Sequence, residues 1–288
     1  MPGGTGATGG GAGLGAAMTR LTFVTGILGA AILIALVAAA LLAPQLAPGD
    51  PLRMVGRPLL GPFEDPRFPL GTDQLGRDVW AGLAHGARVS LTVGAVAAAA
   101  AIGVGILVGT LAGFLGGILD DALMRVTEAF QTVPTFLLAL ALVSVLGASA
   151  INVIIAIALS AWPPSARLVR AEVLRVRTLD YVDAARVAGR SPLAIAFLEV
   201  LPGALRPVVA LVGITVGEAI LVESALAFLG VSDPNLQSWG AMVANGRATL
   251  RVAPELVILP GLAIALAVLS VSLSGDALSA RIGARRRA

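Results

Sequence analysis

The chain has 288 residues, of which 57% are hydrophobic and only 13% charged, with a formal net charge of +3. Soluble domains carry roughly 25% charged residues, so this composition excludes an ordinary water-soluble globule. With no cysteine, a single histidine (His85) and twenty basic residues that are all arginine, several chemistries are excluded too: disulfides and thiolate metal sites, Schiff-base catalysis and the lysine-dependent phosphate loop.

Residues 1–19 are mostly Gly, Ala and Thr, with almost nothing to bury, and read as a disordered tail. Leu21–Leu42 carries no charge and is long enough to cross a hydrocarbon core, which takes about 20 helical residues. It reads as a retained first span within 20–45. Residues 46–88 are rich in Pro, Gly and charge and read as a loop outside the bilayer. Gly71, Asp73, Gly76, Arg77 and Asp78 fall there, among turn formers, and are expected to fold the loop upon itself.

The second span, Leu91–Leu119, carries Gly105, Gly109, Gly113 and Gly117 at four-residue spacing. On a helix these form one stripe that lets a neighbouring helix approach closely. The third span, Ala122 to about Leu146, opens with Asp121, Arg125 and Glu128, whose spacing allows an ion-pair cluster near the inner surface. Pro134 is expected to kink it. The fourth span runs from Ile151 to about Leu168. After a hydrophilic insertion, Val208–Phe228 forms the fifth span, interrupted by Glu218 and Glu223. Acids are costly in lipid and are expected to face protein or water. Glu218 is read as lining a polar path; for Glu223, a path stays open beside a hydrogen bond to a neighbouring helix or a position at the outer interface. Leu256–Ser274 is the sixth span, and Trp80, Trp162 and Trp239 fall near span ends, as an aromatic belt would have them.

The expected fold is therefore all-α: a polytopic membrane protein with six transmembrane helices. Residues 89–280 hold five spans, and 281–288 form a basic tail. An even span number places both termini on one side, together with the arginine-rich insertion, and the positive-inside rule makes that side the cytoplasm. The basic surplus is thus assigned to a membrane surface, with no nucleic-acid partner expected.

The insertion reads Tyr181-Val182-Asp183-Ala184-Ala185-Arg186-Val187-Ala188-Gly189 and continues to Leu201-Pro202. Two short helices are expected to meet at a glycine turn, the second stopped by proline at 202. Small and apolar side chains on such a surface want a partner. This loop, at 181–202, resembles the EAA loop of binding-protein-dependent ABC importer permeases, with Asp183 for the glutamate, Ala184, Ala185 and Gly189 matched, and Leu201-Pro202 closing it; Glu199 replaces the usual isoleucine. Residues 69–80 resemble the outer-loop signature of the dipeptide, oligopeptide and nickel permeases, and Asp121, Met124, Arg125 and Glu128 resemble a D-x-x-M-R-x-x-D motif of that group.

What the resemblance implies is a MetI-like type I importer permease of the second-subunit type, in a bacterial inner membrane. It would pair with a homologous permease and two ABC ATPase subunits, which hold the ATP and Mg. An outer binding protein would deliver short peptides or, alternatively, nickel or another small solute. No cofactor or metal is expected on this chain. A proton-coupled secondary transporter is the main rival, and it leaves the 181–202 loop unexplained.

Overall fold

A computed structural model describes the backbone of residues 10–284, with side chains from 24 to 280. Regular structure among the described residues is helical, apart from three isolated bridges between residues 54 and 78. Helix α1 spans Gly10–Leu41, so residues 10–19, read as tail, are helical; the rest of that tail lies outside the described residues, as do 285–288. A short α2, Ala43–Leu46, leads into an irregular segment that ends at Asp78. The Asp78 carboxylate accepts the backbone N–H of Trp80 at 2.9 Å and so caps α3, Val79–Leu115. The irregular segment therefore ends ten residues earlier than the run of polar residues suggested, because one capping side chain sets the boundary.

At 37 residues, α3 is about 55 Å long at 1.5 Å per residue, well beyond a bilayer core. Helices α4 (Gly117–Gln131) and α5 (Thr135–Leu146) follow, bent by 87° at their junction. Pro134 does more than kink this span: residues before proline avoid the helical region, so α4 ends and α5 restarts. Helices α6 (Ala150–Ala161) and α7 (Pro163–Val176) make a second bent pair, at 45°. Next come α8 (Asp180–Val187) and α9 (Pro192–Ala204), α10 (Val208–Phe228), α11 (Trp239–Gly246) and α12 (Glu255–Ala284). Four helices (α1, α3, α10 and α12) are long and apolar enough to cross a membrane, and each bent pair taken as one span gives six.

The glycine stripe explains how α3 becomes the central post. A Cβ at Gly105 would lie 2.5 Å from that of Ser165, one at Gly113 would lie 2.9 Å from the Arg170 carbonyl, and one at Gly109 would overlap the Ala166 carbonyl. Helix α7 thus lies directly on α3, with backbones in contact. Gly117 leaves the stripe for a turn with φ +59°. A core around Ile157, Trp162 and Leu226 joins α3, α6 and α10. A second, around Trp239, Ile220 and Ala267, joins α10, α11 and α12. Trp162 and Trp239 are buried, against the interfacial positions expected of them, because each finds a partner inside. Trp162 packs edge-on against Phe130 with centroids 5.4 Å apart, and the Trp239 indole donates to the Leu83 carbonyl at 3.0 Å.

Candidate functional site

The 180–204 loop sits at the C-terminal end of α3, opposite the 47–78 segment. Arg177 leads into it and donates to the carbonyls of Gly113 and Phe114, at 2.8 and 3.3 Å. A cation thereby satisfies the last carbonyls of α3, where the helix dipole favours it. Val182 of α8 and Ile195, Val200 and Ala204 of α9 join Val169, Val173 and Val176 of α7 and Val208 of α10 in one apolar core. The loop is therefore packed onto the ends of three helices.

Between α8 and α9 the backbone makes a Schellman turn. The Gly189 N–H bonds the Arg186 carbonyl at 3.0 Å, and the Arg190 N–H reaches Ala185 at 3.3 Å. Gly189 has φ +76°, and nothing lies within 4 Å of the place a Cβ would take; conformation, and not space, requires glycine here. Asp183 lies in the first turn of α8 and pairs with Arg186 at 2.6 Å on the surface, while Leu179 occupies the cap position. Arg190 bonds the Glu199 carboxylate, and the Tyr181 hydroxyl donates to the Glu199 carbonyl at 3.3 Å. Glu199, the departure from the usual isoleucine, is thus an internal brace of the turn.

Pro202 does not stop the second helix, which continues to Ala204. Residues 195–200 are wound as a π-helix and Leu201 bonds back to Ala196, so the widened turn absorbs the register change at the proline. Leu201 packs against the loop core. Ala184 is exposed and Ala185 half-buried. Beside them, Val187 is 90% exposed, Leu198 65% and Leu193 56%. The braced loop thus leaves apolar side chains uncovered on its outer face.

In the 47–78 segment, the Asp73 carboxylate accepts the N–H groups of Leu75 and Arg77 at 2.8 and 2.9 Å. Gly71 and Gly76 have φ +77° and +71°, and a Cβ on either would overlap a carbonyl of the 56–61 strip. Asp78 caps α3, and burial pushes its carboxyl above the ordinary value while the N–H groups of Trp80 and Ala81 oppose that rise. Arg77, whose Nε is buried without a partner among the described residues, lines a cavity of about 250 Å³ with Asp73, Asp78 and Asn245.

Asp121, Arg125 and Glu128 are exposed on α4 and form no ion pair with one another; they line an open cleft of about 580 Å³ with Arg167 and Arg170. The pair is made instead by their neighbour Asp120, which takes Arg170 of α7 in a two-pronged contact at 2.6 and 2.7 Å. Asp120 faces α7 because it lies one residue, or 100° of helix, from Asp121. Glu223 is buried; it accepts from Ser90 of α3 at 3.1 Å and from Ser224 at 3.3 Å, and Ser90 also receives the Trp239 N–H at 3.2 Å. Of its open readings, the geometry is that of a hydrogen bond to a neighbouring helix. Glu218 is half-buried, with no partner among the described residues.

Comparison with known proteins agrees with this architecture. Residues 105–288 match the family described as binding-protein-dependent transport system inner membrane component. The chain belongs to this family. The permease is 40% identical over 245 residues to the di/tripeptide transport system permease protein of Pseudomonas aeruginosa, covering 83% of this chain and 81% of that one. It is 42% identical over 243 residues to a probable peptide ABC transporter permease protein of Sinorhizobium fredii, covering 82% and 81%. A glutathione transport system permease protein of Shigella flexneri is 41% identical over 209 residues, 72% of this permease and 69% of its own length. Among solved structures, a chain of the inward-facing MetNI methionine ABC transporter aligns with a TM-score of 0.58 at 19% identity, covering 71% of this permease and 97% of that chain. The permease thus has the MetI-like fold.

Missing from the sequence reading were Arg177, Ser90 and the Asp120–Arg170 pair. Each contact joins residues at least 50 positions apart, and no local spacing signals such a pairing.

Proposed function

We propose that this permease forms half of the translocation pathway of an ATP-driven importer of short peptides in a bacterial inner membrane, with both termini cytoplasmic. The observation that carries this reading is the likeness, at about 40% identity over four fifths of both chains, to permeases named for di/tripeptide and peptide transport. A homologous permease would supply the other half, an outer binding protein would deliver the solute, and two ATPase subunits would hold ATP and Mg. Asp183, Ala184, Ala185, Gly189, Leu201 and Pro202 belong to the contact with the ATPase. Closure of the ATPase dimer would pull this loop, and because Val182, Ile195 and Val200 share a core with α7 and α10, those helices would move with it. Gly71, Asp73, Gly76, Arg77 and Asp78 shape the outer surface, and Asp121, Arg125 and Glu128 the cleft at the other end.

The test is co-purification in mild detergent, wild type beside a Gly189→Val, Asp183→Arg double variant, followed by dipeptide uptake in proteoliposomes. Expected are an ATPase and a second permease with wild type, loss of the ATPase with the variant, and uptake that needs ATP and survives collapse of the membrane potential. A wild type that runs alone, with uptake driven by a proton gradient, would replace this reading with the secondary transporter.

A further inference from the structure

Helix α10 divides its surface three ways. Gly213 and Gly217 lie against α12 and Ile220 against Gly94 of α3, while Ala219, Val222 and Leu226 enter the core shared with α6. The third stripe is uncovered: Ile214 is 57% and Leu221 49% exposed. Glu218 lies on it, four residues after Ile214 and three before Leu221, on one helical face. It also lies midway along the 21-residue helix, about 15 Å from either end at 1.5 Å per residue, which is the depth of the bilayer midplane.

A carboxylate at that depth is costly against lipid and is held where it faces protein or a water-filled cavity. Glu223, a turn and a half further on, meets this need inside the chain through Ser90 and Ser224. Glu218 has no hydrogen-bond or ion-pair partner among the described residues. Its partner must come from outside the fold, and the groups that satisfy a carboxylate best are cationic. The apolar neighbours one turn to either side make Glu218 a single charged point on an apolar lane. That pattern suits a solute with one constant cationic end and variable side chains.

We propose that Glu218 is a specificity-determining residue of the solute path, whose carboxylate meets the free α-ammonium of a peptide at mid-membrane. The proposal rests on the peptide-importer reading and adds the group recognised. Peptides blocked at the amino terminus lose the contact, while the side chains pass Ile214 and Leu221 with little discrimination.

The experiment uses the assembled importer in proteoliposomes with its binding protein, comparing wild type with Glu218→Gln and Glu218→Asp. Uptake is measured for a free dipeptide and for the same dipeptide N-acetylated, supplied at saturating concentration. Size-exclusion profile and ATPase rate serve as measures of assembly. Expected is a roughly 10- to 100-fold fall for the free dipeptide in Glu218→Gln, the order of one charge-assisted hydrogen bond. N-acetyl-dipeptide uptake should stay within about two-fold of wild type, and Glu218→Asp should recover part of the loss. An equal fall for both peptides, no fall for either, or dissociation of the second permease in Glu218→Gln would each overturn the proposal, the last by making Glu218 an interface residue. Wild type that takes up no peptide at all would instead refute the importer reading itself.

Discussion

A few polar side chains at element ends position the two loops of this permease. Asp78 caps α3 from a half-buried site that raises its carboxyl pKa, so the cap hydrogen bond and the desolvated charge oppose one another. Asparagine accepts the same N–H without carrying charge. Asp78→Asn should therefore leave the melting temperature in detergent nearly unchanged, whereas Asp78→Ala should lower stability by about 1 kcal/mol. The sign of the pH effect follows. A raised folded pKa means the protonated form is favoured in the folded state, so this contribution is present below the unfolded value of 3.8 and is lost as pH rises through the folded value. The Asn variant should lack that component. The Asp120–Arg170 pair behaves differently because the Asp120 side chain is only 11% exposed. Arg170→Ala strands a charge and should cost about 1–3 kcal/mol. Removing both partners should recover most of that, measured as a double-mutant cycle in thermal unfolding. Both acids were plain in the sequence. Which of Asp120 and Asp121 would pair was not, since the answer depends on where α7 lies.

Among the helices, the contact between α3 and α7 is sensitive to single substitutions at three successive glycines. Gly109→Leu would place a side chain where the Ala166 carbonyl already sits. The expected loss exceeds about 3 kcal/mol, since overpacking alone costs 1–3 and here the obstacle is backbone. Detergent-solubilised yield and limited proteolysis of the 177–207 region would report it. The four-residue glycine spacing announced this helix approach, and the apolar runs announced the spans. Proline proved less legible. At Pro134 it separates two helices at 87°, whereas at Pro202 the helix runs on through a π-wound turn. The difference lies in the surroundings: residues 195–200 are held by the loop core on one side, and the π turn absorbs the change in register.

At the scale of the whole molecule, the 180–204 loop has two faces, an inner one that holds it to the fold and an outer one to which the proposed function assigns coupling. Val182, Ile195 and Val200 face inward, while Val187 and Leu198 face out. A Val187→Ser, Leu198→Ser variant should keep the melting temperature of the isolated permease within about 3 °C, since each exposed substitution changes stability by under about 0.5 kcal/mol. The same variant should weaken retention of the ATPase on co-purification. Equal loss of stability and retention would show that these residues support the fold itself.

Composition and pattern by themselves determined the membrane class, the helical architecture, the approximate spans and the 181–202 loop, because hydrocarbon thickness and helical period act on local runs of residues. Only the tertiary structure decided that Asp120 and not Asp121 takes Arg170, that Glu223 is satisfied by Ser90, and that Glu218 has no partner among the described residues. Trp162 and Trp239 likewise moved from interface to core only once helices distant in sequence were seen to pack around them. These outcomes depend on which helix lies beside which, a long-range arrangement to which neighbouring residues in the chain carry no local signal.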